Sequence, residues 1–347
     1  MSPDRWQATW ARRGVTARLL WPVSAVYAAL GALRRRLYQW GVLRTHRLPV
    51  PVIVVGNVVV GGAGKTPTVI ALIEHLQAKG WRPGVISRGY GRQGGGVLAV
   101  QDDTPAPLSG DEPALIRRRT GVPVFVAARR ADAGRALLAA HPQVNLLLCD
   151  DGLQHLALAR DLAIAVFDER GVGNGWQLPA GLLREPWPPA AGSPFRPDLL
   201  LQQHRPGARP PNLPRPADLP GFVAERRLAD TAWGPDGTQI PLDELRDRPV
   251  TALAGIARPE AFFAMLRARG LNLTRTCPLP DHAASQDYHA LALAPGDVLL
   301  CTEKDAVKLF AECPPGVQAW AVPLALSPEP GFWAAIDALL TRHAPRR

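Results

Sequence analysis

Residues 51–67, PVIVVGNVVVGGAGKTP, constrain this chain more than any other segment. An apolar, β-rich run meets a glycine-rich turn, and the helical pattern TPTVIALIEHLQAKG follows until Gly80 stops it. Gly61, Gly62, Ala63, Gly64, Lys65 and Thr66 therefore sit between a strand and a helix, the setting a phosphate-binding loop requires. Glycines at such a turn let backbone N–H groups approach phosphate oxygens, and the helix N-terminus adds partial positive charge. Lys65 is placed to neutralise β and γ phosphates and Thr66 Oγ to hold Mg²⁺; Pro67 continues the nucleotide-binding loop into the helix. The strict pattern wants glycine at position 59, where this chain has Val59. The loop predicts ATP binding and leaves open what accepts the phosphate.

A strand, a phosphate loop and a helix commit the neighbouring chain to alternating β and α structure. Further strands are predicted at PGVIS, at VPVFVA (residues 122–127), at NLLLCDD (145–151) and at LAIAVFD (162–168). Their nearly continuous apolar character argues for an α/β fold, with a mainly parallel sheet covered by helices on both faces. Residues 186–220 are rich in Pro, Ala and Arg and read as a linker or a long surface connection. PVTALAGI, DVLLCTEK and VQAWAVPL then supply strands for a second, smaller α/β subdomain, with a helix at PEAFFAMLRARG. The expected division is 1–50, 51–220 and 221–347.

The first of these segments is of another kind. Nine arginines (5, 12, 13, 18, 34, 35, 36, 44 and 47) stand there against the single acid Asp4, so it carries most of the chain's net charge of +10. They bracket the apolar run LLWPVSAVYAALGAL at residues 19–33. As a helix that run spans roughly 22 Å, short of the ~30 Å hydrocarbon core, which favours a helix lying in or dipping into an anionic bilayer surface. Arginines follow where a signal peptide would carry its cleavage site. A basic excess placed on an apolar end, with no base-reading motif, excludes a nucleic-acid module. The four scattered cysteines have neither metal-ligand spacing nor disulfide density, and fit a reducing cytosol.

A phosphate loop needs a carboxylate at the end of a second strand to complete its magnesium site. Asp150 and Asp151 end the apolar run NLLLC and provide two. Adjacent residues of a strand point to opposite sides, so one serves the metal more directly, and the sequence leaves open which. Arg88, between strand and glycine in SRGYG, either turns toward phosphate or belongs to a simple β-turn. Asp111 and Glu112 precede a helix, where capping is the default role. Arg184 in LLREP either clamps an anionic transition state or pairs at the surface. Asp281-His282 carries a weak signal of its own.

In their order, VGNVVVGGAGKTP, ISRGYGR, SGDEP, DDGLQH, LPAGLLREP, LPDH and CTEKDAVK resemble the tetraacyldisaccharide 4'-kinase family, the lipid A 4'-kinases of Gram-negative bacteria. The resemblance runs from about residue 51 to 308. It implies a P-loop kinase-like fold and transfer of the ATP γ-phosphate, with Mg²⁺, to the 4'-hydroxyl of an acylated glucosamine disaccharide 1-phosphate lipid. It implies that Asp111 and His282 form a pair taking the hydroxyl proton, that Arg184 and Arg88 stabilise phosphate charge, and that Asp150 and Asp151 serve metal and nucleotide. It further implies an anchor on the cytoplasmic face of the inner membrane, with no nucleic acid and no obligate protein partner. Two positions depart from the family pattern: Leu182 where proline is frequent, and Ala283 where an aromatic residue or second histidine follows the LPDH histidine. The alternative is a membrane-associated P-loop ATPase coupled to a protein partner, which needs no Asp111–His282 pair.

Overall fold

The computed structural model describes residues 3–208, 210–281, 283, 287–288 and 291–341. His282 lies outside the described residues. Helices are α1 (Pro3–Ala11), α2 (Val15–Gln39), α3 (Lys65–Ala78), α4 (Ala106–Ser109), α5 (Asp111–Thr120) and α6 (Arg130–Ala140), followed by α7 (Pro259–Ala268), α8 (Glu303–Glu312) and α9 (Pro330–Thr341). The first strands are β1 (Val52–Gly56), β2 (Pro83–Ser87), β3 (Leu98–Val100), β4 (Val124–Val126), β5 (Leu146–Asp150), β6 (Leu162–Phe167), β7 (Leu199–His204) and β8 (Gly221–Leu228). Then come β9 (Thr231–Trp233), β10 (Gln239–Pro241), β11 (Val250–Ala254), β12 (Leu273–Pro278), β13 (Val298–Thr302), β14 (Gln318–Val322) and β15 (Leu324–Pro328).

Nine strands form one sheet in the order β15-β8-β7-β6-β1-β5-β2-β4-β3. Its interior pairs are parallel, and only the edge pairs β3–β4 and β8–β15 are antiparallel. Strand alternation divides β1 between two cores: Ile53 and Val55 pack with α3, α5 and α9 on one face, Val52 and Val54 with α6 and the long loops on the other. That double burial explains why the strands read as unbroken apolar runs. The second sheet, β10-β9-β14-β13-β11-β12, is smaller and has its own two apolar clusters.

The sheets cross the expected boundary at residue 220. Inside the proline-rich stretch 186–220 lies β7, whose Leu199, Leu200 and Leu201 are buried between β6 and β8. The chain leaves the large sheet after β8 and returns as β15, with Leu228 opposite Leu324 and the Ala229 N–H donating to the Pro323 carbonyl at 2.9 Å. Helix α9 then packs Phe332, Ile336 and Leu340 into the core of the large sheet. The link between the two sheets is thus this pair of crossings, not a flexible tether at 186–220.

Helix α2 extends the apolar run in both directions to 25 residues, about 38 Å. By length and composition it is able to cross a membrane. Val15, Leu19, Val23, Val26, Leu30 and Leu33 recur at helical spacing and all face outward, exposed. The opposite face is bonded to the protein: Ser24 Oγ donates to the Gln177 carbonyl at 2.6 Å, and Tyr27 OH to the Arg184 carbonyl at 2.9 Å.

Candidate active site

The phosphate loop turns on two left-handed glycines, Gly61 at φ +83° and Gly64 at φ +80°. Gly64 is further restricted by Gln203 of β7, which lies beneath it; any side chain at position 64 would collide with that carboxamide. Gln203 Nε2 donates to the Gly64 carbonyl at 2.9 Å and to Thr68 Oγ1 at 2.6 Å, tying loop, helix and sheet together. Ahead of the loop, buried Asn57 donates to the Gly61 carbonyl at 3.1 Å and accepts from Lys65 Nζ at 3.4 Å.

Register places Asp150 opposite Val55, so β5 delivers its two acids beside the loop that follows β1. Burial pushes the Asp150 carboxyl up to about 7, against the lowering charge of Lys65. Its Oδ1 is buried with no hydrogen-bond partner. A buried, unpartnered carboxylate oxygen beside Thr66 and a phosphate loop is a donor set suited to Mg²⁺, which takes few protein ligands and keeps phosphate and water oxygens. Asp151 turns the other way, at φ +49°. Burial opposes its ionisation, but Lys65, whose Nζ lies 3.7 Å from Oδ1, and Arg184, at 3.1 Å, outweigh it and hold the carboxyl below the usual range.

Arg184 is brought in by the LPAGLLREP loop, whose backbone bonds to the segment before the phosphate loop through Val60 N to Leu182 O at 2.9 Å and Arg184 N to Val58 O at 2.7 Å. Gln154 braces the same corner, donating to the Asn57 carbonyl at 3.0 Å and to Glu185 Oε1 at 2.6 Å. The site opens on a cavity of about 970 Å³. Gly61, Gly62, Ala63, Gly64, Lys65, Thr66, Pro67, Arg88, Asp150, Asp151 and Arg184 all line it, with Tyr27 and Arg34 contributed by α2. The second sheet closes the far side with Ala257, Arg258 and Phe262. Asp111 is not in that wall: its neighbour Glu112 is, while Asp111 is buried and paired with Lys308 of α8.

The sequence model of the family described as tetraacyldisaccharide-1-P 4'-kinase matches residues 16–341. The chain belongs to that family. A tetraacyldisaccharide 4'-kinase of Polaromonas sp. (strain JS666) is 56% identical over 96% of this chain and 95% of its own length. One from Acidovorax sp. (strain JS42) is 53% identical over 97% of this chain and 94% of its own. Among solved structures, LpxK from Aquifex aeolicus, crystallised in complex with ATP, superposes with a TM-score of 0.79 at 29% identity, covering 94% of this chain and 99% of that one.

Three residues that brace the candidate site escape a reading of local motifs. Arg170 grips the phosphate loop from outside, donating through Nη1 to the Val60 carbonyl at 2.9 Å and through Nη2 to the Gly62 carbonyl at 3.2 Å. Buried Asp168 fixes its guanidinium through Nε at 2.9 Å. The available signal was an acid at the carboxyl end of an apolar strand, FDER after β6. Arg130, also buried, lies 3.3 Å from His155 Nδ1 and donates to the Asp151 carbonyl at 3.3 Å. Burial and the Arg130 charge depress His155 to about 4, so the ring is neutral at physiological pH. Gln203 is the third, unremarkable in sequence because its role depends on a loop far away in the chain.

Proposed function

We propose that this protein transfers the γ-phosphate of ATP to the 4'-hydroxyl of a tetraacyldisaccharide 1-phosphate, in lipid A biosynthesis, at the cytoplasmic face of the inner membrane. The observation that carries this reading is the joint cavity. A phosphate loop, a pair of strand-end acids and Arg184 share one wall, and an amphipathic helix with an outward apolar stripe supplies Tyr27 and Arg34 to the same space. A protein-coupled ATPase has no need of a lipid-facing helix bonded to the loop that carries its arginine.

In this reading Gly61, Gly62, Ala63 and Gly64 present backbone donors to the β and γ phosphates, and Pro67 and Arg88 complete the nucleotide wall. Lys65 balances phosphate charge. Arg184, oriented by Asp151, stabilises charge on the transferring group. When bound at Thr66, Asp150 and Asp151, Mg²⁺ would neutralise phosphate charge. Asp111 takes the proton of the sugar hydroxyl, with His282 as its partner in the family pattern. Substrate and active site meet at headgroup height because a multiply acylated sugar leaves the bilayer only at about 0.8 kcal/mol per CH₂ group.

The decisive assay supplies γ-³²P-labelled ATP and the disaccharide lipid in mixed micelles. Label is expected in the lipid in equal amount to the ADP formed. ADP released without labelled lipid would instead establish the ATPase alternative.

The anchor has its own test. Deleting residues 1–36 would also remove Tyr27 and Arg34 from the cavity wall, so substitutions on the outward face are cleaner. Leu19→Glu, Val26→Glu and Leu30→Glu combined, at side chains 75%, 61% and 62% exposed, should reduce partitioning onto anionic vesicles by at least about 100-fold. Turnover in detergent micelles and ATP affinity are expected to stay at wild-type levels. Vesicle sedimentation equal to wild type would remove α2 from the membrane.

A further inference from the structure

Helix α8, which follows β13 of the second sheet, lies against α5 of the first. Three ion pairs join them: Lys308 Nζ to Asp111 Oδ1 at 2.8 Å, Lys304 Nζ to Glu112 Oε1 at 3.2 Å, and Arg119 Nη1 to Glu303 Oε1 at 3.3 Å. The first differs from the others. Lys308 Nζ reaches both carboxylate oxygens of Asp111, at 2.8 and 2.9 Å, and also donates to the Ala283 carbonyl at 3.1 Å. Ala283 adjoins residue 282, and Lys304 holds Asp281 on the other side at 2.7 Å. The Asp111 side chain is only 6% exposed and that of Lys308 15%, so solvent screens their attraction far less than at a surface pair.

We propose that Lys308 is a positioning residue for phosphoryl transfer: it orients the Asp111 carboxylate as proton acceptor and ties Ala283 of the second lobe to it. This rests on the reading of Asp111 as the group that takes the hydroxyl proton. The charged and titratable groups facing Asp111 from the described neighbours are Lys304 and Lys308 of α8, Tyr288, and Glu112 on its own helix. Tyr288 is kept neutral, pushed far up by burial and by the Asp305 carboxylate. Lys304 divides its charge between Glu112 and Asp281. Among the described residues Lys308 is the cation whose ammonium contacts both Asp111 oxygens, and it favours their ionised, proton-accepting form. A nearby cation holds a carboxylate ionised to lower pH, so removing this one moves the acid limb of activity upward.

The test compares Lys308→Met, Lys308→Arg and Asp111→Asn by pH profiles of kcat/KM for the disaccharide lipid, with the ATP Kd measured on each. Lys308→Met is expected to lower kcat/KM roughly 10- to 100-fold at neutral pH and shift the acid limb up by about one to three pH units. Lys308→Arg should return the limb most of the way to wild type, and the ATP Kd should stay the same throughout. A wild-type profile for Lys308→Met, or a loss of rate with an unmoved limb, would overturn the proposal. If Lys308→Met fails to bind ATP, the limb of Lys308→Arg decides: near wild type supports the role, and a limb displaced as far as full loss of the cation predicts refutes it. Full turnover by Asp111→Asn would instead remove the underlying reading of Asp111.

Discussion

Lys65→Met is expected to leave a folded protein that still binds ATP but phosphorylates lipid roughly 10³-fold more slowly, the loss seen when one preorganised group aimed at developing charge is removed. Its ammonium sits within 3.4 Å of Asn57 Oδ1 and 3.7 Å of Asp151 Oδ1, so two groups hold it over the loop before any nucleotide arrives. The other binding elements do not depend on it. Backbone donors of the loop are fixed by Gly61 and Gly64, by Gln203 from below and by Arg170 from outside. Ground-state affinity should therefore fall by no more than about tenfold, one lost charge contact in a partly solvated site. Nucleotide titration by calorimetry and single-turnover label transfer separate the two quantities. A kcat within tenfold of wild type would show that the charge on the transferring phosphoryl group is met elsewhere.

Asp111→Asn should abolish nearly all transfer for a different reason. Positioned proton acceptors contribute about 10²- to 10⁴-fold, and asparagine is neutral and a poor base. The substitution preserves shape and one acceptor oxygen for Lys308, so the head of α5 is expected to stay where it is. The ATP Kd should match wild type while kcat collapses across the pH range, with no recovery at high pH. Retention of more than about a tenth of the wild-type rate would mean that the hydroxyl proton leaves by another route.

The parts legible in the sequence are those whose chemistry demands particular residues close together. A turn that admits phosphate needs glycine, a triphosphate needs Lys65 and Thr66, and a buried parallel strand needs unbroken apolar residues, so β1, β5, β6 and the loop after β1 stood out. The strand β7 did not. LLLQQH is short, ends in polar residues and lies between prolines, and only β6 and β8 on either side supply its reason to be extended. Gln203, Arg170 and Lys308 were hidden for a related reason: each acts on a partner more than a hundred positions away, at Gly64, Val60 and Asp111. Local pattern places a motif on a strand or a loop. It does not show which side chain braces that motif from across the sheet.

The adjacency of Leu228 and Leu324 has a mechanical consequence. Among the described residues the chain passes between the sheets only at these two crossings, side by side and bonded through Ala229 and Pro323, and the smaller sheet is braced elsewhere by side chains: α8 against α5, and Arg258 against Glu169 at 2.9 Å. A tight turn from 228 to 324 would keep every strand of the larger sheet with its neighbours, yet it would strip α5 of the α8 helix that covers it and the cavity of Ala257, Arg258 and Phe262.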